Sequence, residues 1–320
     1  MRPGAIVSLA ALLGAANVPA QPFPTKPMRM IVPAPPGGSS DIMGRLVAEH
    51  LQRRYGQPVI TENRAGAGQT IGTNFVAKSE PDGHTLLMVT VSHAVNSAVY
   101  PKLPYDPVAD LTGVAMVGTG PLLLVVHPSL PVRSVRELIA FARARPGRLD
   151  YGSSGSGTIP HLAGELFAAR TNTDILHVPY KGIAASVTAA ASGEAPMIIV
   201  SIPAAGPMLK ANRLRALAVT TAQRSSFMPE LPTLAESGVP DYDVATWWAV
   251  LAPGKTPANI VMRLNEDIRK NLAMPDAASI LAANGATPAL DMTPERLNAL
   301  IKSEVATWGR VARERKITVN

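Results

Sequence analysis

Two short segments have the composition to grip an anion through backbone amides and hydroxyls. The first is Pro36-Gly37-Gly38-Ser39-Ser40-Asp41 and the second is Ser153-Ser154-Gly155-Ser156-Gly157-Thr158. Glycine lets a main chain approach a bound group closely. Each segment runs into a stretch with helical periodicity, and a helix N-terminus adds free N–H groups and partial positive charge. A small carboxylate suits such a site. The competing readings are a plain capped helix start for the first segment and a flexible turn for the second.

Bond-breaking chemistry finds less support. A nucleophile elbow needs Gly-x-Ser-x-Gly, and neither Ser154 nor Ser156 has glycines at both positions. Gly66, Gly68 and Gly72 are spaced one residue too widely for a dinucleotide loop, and Gly254-Lys255-Thr256 has Ala249 where a phosphate loop needs glycine. The histidines (His50, His84, His93, His127, His161, His177) show no i, i+4 pair and no carboxylate cluster, so neither a metal nor another cofactor is expected. His161 follows the second loop; it is a candidate for ligand contact, or else a local packing and hydrogen-bonding residue. Asp41 has no evident acid or base partner, so no catalytic dyad is assigned. Trp247 and Trp248 lie in an apolar stretch and read as core or interlobe packing.

The elements that must position the loops alternate. Strands are predicted at 28–33, 58–61, 85–91, 122–126, 149–152, 175–178, 197–201 and 214–220. Helices are predicted at 42–55, 70–79, 135–145, 159–169, 184–191, 258–271, 277–284 and 295–314. Alternation of this kind predicts an α/β fold with parallel sheets, in which ligands bind beyond the carboxyl ends of strands. Two such units, each with a Gly/Ser loop, imply a cleft between two lobes.

Composition bounds the rest. A chain of 320 residues, 47% hydrophobic, has the length and apolar content for two α/β lobes. Its net charge of +7 comes from scattered basic residues with no basic stripe among aromatics, so nucleic acid is not an expected partner. With 0 Cys, disulfides, thiolate chemistry and N-terminal lipidation are excluded. Arg2, the small apolar run Ala5 to Ala16, and Val18-Pro19-Ala20 predict a signal peptide over residues 1–20 with Gln21 as the first mature residue. The run is too short to span a bilayer, which needs about 20 residues.

Many ordered pieces of the chain resemble the substrate-binding proteins of tripartite tricarboxylate transporters, the Bug-type extracytoplasmic receptors. They are Pro36 to Asp41, Glu62-Asn63-Arg64-Ala65-Gly66-Ala67-Gly68, Pro81-Asp82-Gly83, Leu103-Pro104-Tyr105-Asp106-Pro107, Tyr151 to Thr158, His177-Val178-Pro179-Tyr180-Lys181-Gly182, Pro232-Thr233 with Glu236-Ser237-Gly238, and Trp248 before Ala252-Pro253. The resemblance implies a two-lobed periplasmic binding protein of the type II kind that closes on a di- or tricarboxylate, an acidic amino acid or an aromatic acid. It implies no catalysis, transient contact with membrane transporter subunits, and a monomer. Carried over residue by residue, the ligand would meet Gly37, Gly38, Ser39, Ser40 and Asp41 on one lobe and Ser154, Gly155, Ser156, Gly157 and Thr158 on the other. Ser92, His93 and Ser201 would line the side that sees the variable part of the ligand. Lobe one would hold residues 22–121 and 246–320, and lobe two 122–245, with Thr220 an alternative second crossover. One departure is Gly193-Glu194-Ala195-Pro196, where the family usually has Gly-Gln-Val-Asp; it puts the pocket wall from Met197 to Ser201 in question. The rivals are a hydrolase using the same cleft, with His161 the nearest base to a serine, and a receptor for a sensor kinase.

Overall fold

The computed structural model describes residues 23–100 and 102–317. The expected signal peptide lies outside the described residues. In chain order the elements are β1 (Met28–Val32), α1 (Ser39–Tyr55), β2 (Val59–Asn63), α2 (Thr70–Ala77), β3 (Thr85–Thr90), α3 (Ser92–Val99) and β4 (Leu111–Val126). Then come α4 (Val135–Arg143), β5 (Asp150–Ser153), α5 (Ile159–Thr171), β6 (Leu176–Pro179), α6 (Ile183–Ser192), β7 (Met197–Ser201), α7 (Ile202–Lys210) and β8 (Arg215–Val219). The chain closes with β9 (Ala245–Pro253), α8 (Ala258–Leu272), α9 (Pro275–Ala283), β10 (Thr287–Pro288) and α10 (Pro294–Glu314).

The long strand β4 belongs to two sheets. Its first part, Leu111 to Pro121, pairs with β9 beside β1, β2 and β3; its last part, Leu122 to Val126, pairs with β7 and β8 beside β5 and β6. The handover therefore falls between Pro121 and Leu122, and the chain returns at Val244 to Ala245. Thr220 ties the two passages together: its Oγ1 accepts from Leu122 N at 2.9 Å and lies 2.6 Å from the Val244 carbonyl. Its own backbone N–H donates to Leu122 O.

Three apolar cores support the sheets. One fills the space between α1, α8 and the first sheet, with Met30, Met43, Val47, Leu264 and Ile268 all buried. Another lies under α6 and α7 against the second sheet, with Leu123, Val125, Ile198 and Val200. The third is continuous across both sheets: Val89 and Val95 share it with Leu162, Phe167 and Tyr242, and α10 contributes Leu297, Trp308 and Val311. The C-terminal helix thus packs on α3 of one lobe and reaches α5 of the other.

The Gly193-Pro196 departure does not disturb the strand that follows. Gly193 ends α6 in the left-handed conformation, φ 83°. Pro196 stands one residue before β7, where a missing N–H does no harm to the ladder, and its carbonyl accepts from His127 N at 2.8 Å. From Met197 to Ser201 the strand is paired in register with β4 throughout.

Candidate functional site

Strand direction places both loops at the junction of the sheets. β1 and β3 are parallel to each other, β3 is antiparallel to β9, and β9 is antiparallel to β4. β1 and β3 therefore point the way β4 points, toward the second sheet. β7 is antiparallel to β4, and β5 is parallel to β7, so these two point back toward the first sheet. The carboxyl ends of β1, β3, β5 and β7 all meet at the line where β4 changes sheets. Those ends carry Pro36 to Asp41, Ser92 and His93, Ser154 to Thr158, and Ser201. Each leads directly into a helix.

The helices α1, α5 and α7 start at Gly38, Thr158 and Ser201 without a side-chain cap. Uncapped first-turn N–H groups are the donors an anion would use. Gly37, Gly155 and Gly157 take φ of 82°, 130° and 73°, a region that L side chains avoid, so glycine is required to shape both loops. Gly37, Gly38, Ser39 and Ser156 are exposed, Ser92, Ser154, Gly155, Thr158 and Ser201 are half-buried, and Ser40 and Gly157 are buried.

Four of the expected contacts have their side chains committed elsewhere; Thr158 is one, its Oγ1 donating to Gly155 O at 2.7 Å. Asp41 is buried, and its carboxylate accepts from Gly37 N at 2.9 Å, Arg45 Nε at 3.0 Å and Asn63 Nδ2 at 2.9 Å. Burial pushes this acid up, but the bonds from Arg45, Gly37 and Asn63 prevail and hold it below its ordinary value. Asp41 braces the first loop rather than offering its carboxylate to an anion. Asp41→Ala removes three hydrogen bonds made to a buried charged acceptor, by Gly37, Arg45 and Asn63. It is expected to lower the unfolding free energy by about 2 kcal/mol, read by urea titration, with Asp41→Asn less costly. His93, expected along the pocket side, has its ring buried, with Nε2 at 2.9 Å from Pro107 O and the plane stacked on Tyr105. His161, the candidate ligand contact, is also buried; its Nδ1 accepts the Gly157 N–H at 3.0 Å and its ring stacks on His177 at 3.7 Å. Packing and hydrogen bonding decide its place.

Sequence reasoning missed the network under the second loop. Ser153 Oγ sits 2.6 Å from His177 Nε2 and accepts from Gly155 N at 3.1 Å. Tyr151 donates to Glu165 Oε1 at 2.6 Å, and Arg315, just after α10, donates to Glu165 Oε2 at 2.5 Å. The i, i+4 spacing of His161 and Glu165 on α5 was the available signal, since it sets both on one helix face. Among the described residues no group of three or more His, Asp or Glu is arranged to hold a metal, and no helix is long and apolar enough to cross a membrane.

Residues 43–317 match the family described as the tripartite tricarboxylate transporter family receptor. The chain is 41% identical over 302 residues to protein BugT of Bordetella pertussis, covering 94% of this chain and 92% of that one. A solved structure described as R. palustris Rpa4515 with adipate is 40% identical with TM-score 0.80, covering 92% of this chain and 99% of that one. MatC (Rpa3494) from Rhodopseudomonas palustris with bound malate is 29% identical with TM-score 0.77, covering 90% and 99%. With that match over most of its length, this chain belongs to the receptor family of the tripartite tricarboxylate transporters.

Proposed function

We propose that the protein is a periplasmic receptor whose two lobes close on a small carboxylate and pass it to the membrane subunits of a tripartite transporter. The observation that carries this reading is the meeting of three uncapped helix N-termini and two Gly/Ser loops where β4 changes sheets. A ligand bridging both sides binds better to the closed state and so shifts the population toward it. The lobes comprise residues 22–121 with 246–320, and 122–245, with export directed by residues 1–20 and the mature protein a monomer. Adipate and malate, bound in two neighbours, set the ligand class to test first.

The test is a thermal-shift panel of small carboxylates on protein beginning at Gln21, with adipate and malate included. At a hundred times its dissociation constant a ligand adds about 2.7 kcal/mol of stability. Gly38→Val is the diagnostic variant. Gly38 has φ −79°, which any residue adopts, and a Cβ there would meet nothing nearer than Pro35 O at 3.8 Å. Valine is poorer than glycine at this N-cap position and should cost about 1 kcal/mol, lowering the unliganded midpoint by roughly 2 to 4 °C, while filling the space before α1 and abolishing the shift. A folded, ligand-free protein that responds to no carboxylate overturns the reading.

We assign no catalysis. Ser153 has a histidine in reach, but it is 0% exposed and its hydroxyl is engaged with Gly155. Hydrolysis of activated esters that vanished in Ser153→Ala would reverse this.

A further inference from the structure

The second loop rests on a buried chain of polar groups that ends on the C-terminal helix. Arg315 holds Glu165 Oε2, and Tyr151 holds Glu165 Oε1. Glu165 Oε1 also faces His161 Nε2 at 3.9 Å. On the far side of the same ring, Nδ1 accepts the Gly157 amide. His161 stacks on His177, whose Nε2 meets Ser153 Oγ, and that oxygen accepts the Gly155 amide. Both amides of the loop that are fixed by side chains are therefore fixed through this cluster. Packing leaves it little slack: a Cβ on Gly164 would fall 2.2 Å from the Tyr151 ring.

A neutral imidazole accepts at one nitrogen and donates at the other. Because Gly157 donates to Nδ1, the proton must reside on Nε2, and the carboxylate facing Nε2 stabilises that tautomer electrostatically. We propose that Glu165 and Arg315 are positioning residues for ligand capture: Arg315 orients the Glu165 carboxylate, Glu165 selects the His161 tautomer, and His161 holds Gly157 so that the loop keeps its binding shape. Arg315 follows α10, which packs on α3 of the opposite lobe, so the loop of one lobe is braced by a helix seated on the other. Burial keeps both His161 and His177 below their ordinary values, His177 at about 4, against the opposing charge of Glu165. Both rings are thus neutral near pH 7, as the tautomer requires. Tyr242, which bonds the Ala163 carbonyl, closes the cluster from the segment before β9 and brings no charge.

The capture role rests on the carboxylate reading above, so the test has an arm that needs no ligand. In wild-type protein at pH 7, 15N shifts of the His161 ring should show Nε2 protonated and Nδ1 accepting, and the Gly157 amide should exchange slowly. Glu165→Gln removes the charge and keeps the shape. It should mix the tautomers, speed Gly157 exchange at least 10-fold, and leave exchange of Leu124, in the second sheet, unchanged. Arg315→Gln, at a side chain about one-third exposed, keeps a donor toward Glu165 and is the milder variant; it should speed Gly157 exchange several-fold, with Arg315→Lys restoring it. The adipate dissociation constant should rise about 10-fold in Glu165→Gln. Unchanged tautomer and Gly157 exchange in both variants, or exchange that rises equally at Leu124, overturns the positioning role. Absence of adipate binding by wild type counts against the ligand reading alone, and the ring shifts and amide exchange still decide the relay.

Discussion

Gly120→Ala is expected to destabilise the protein by about 3 kcal/mol, the upper part of the range for overpacking, lowering the unfolding midpoint by roughly 5 to 10 °C. A Cβ at Gly120 would lie 2.1 Å from the carbonyl oxygen of Gly285. That neighbour is backbone, so no rotamer change relieves the contact. Gly285 is itself held, with φ 68° and with Pro203 and Ile202 at the start of α7 pressed against the place a side chain would occupy. Gly120 stands next to Pro121, where β4 leaves the first sheet, so the backbone must shift at the passage between the lobes. Gly206 provides the comparison. It lies inside α7 with no atom within 4 Å of its missing Cβ, and Gly206→Ala should be neutral or stabilise by up to about 1 kcal/mol. Equal midpoints for the two variants would mean that the Gly285 contact yields easily and that the crossing is not tightly packed.

Glycines pressed in this way explain why the larger part of β4 was illegible in the sequence. Leu122 to Val126 is an apolar run and reads as a strand. Leu111 to Pro121 holds Gly113, Gly118, Gly120 and Pro121, which read as loop. They are tolerated because later parts of the chain press on this strand: Leu297 meets Gly113, Leu281 meets Gly118 and Gly285 meets Gly120. Two register shifts absorb the irregularity against β9. Nothing local announces such contacts. The short helices α3 and α7 were missed for a related reason: each follows a strand with no intervening loop, and α7 carries Pro203 and Pro207.

The candidate site was legible as loops and not as side chains. Gly37, Gly155 and Gly157 stand in the sequence because their backbone conformation needs them, and Ser39 and Ser156 are exposed where a hydroxyl is useful. Asp41, His93 and His161 have the same residue types as ligand contacts, yet their partners are Asn63, Pro107 and Gly157. Asn63 is 22 residues from Asp41, and Glu165 is 150 from Arg315. Pairings at such separations follow from the topology and leave no periodic trace in the chain.

Acid should weaken the fold well before the paired carboxylates Asp41, Glu62 and Asp82 titrate, with His93 the main cause. Its ring is 1% exposed, Nε2 is satisfied by Pro107 O, and Nδ1 has no hydrogen-bond partner among the described residues. Adding a proton to Nδ1 would bury both a charge and an unbonded donor, so burial pushes this histidine down to about 4 despite the favourable Pro107 bond. In the unfolded chain the ring takes up its proton near pH 6.5. Between those limits the unfolded state binds more protons than the folded one, so stability falls as pH drops from about 6.5 to about 4 and then levels off for this group. The loss from His93 is on the order of 3 kcal/mol. His177 changes in the same direction over the same window and, being less buried, adds less. Asp41, Glu62 and Asp82 are held below their ordinary values and lose their contributions only at lower pH. Urea titrations at pH 7, 6, 5 and 4 separate the two groups. His93→Gln keeps a donor for Pro107 without a titrating ring; it should be less stable at pH 7 and lose no more than about half as much stability by pH 4. A variant that retained the full wild-type slope would take the acid response away from His93 and leave His177 and His161, beneath the second loop, and the partly buried His50 to account for it.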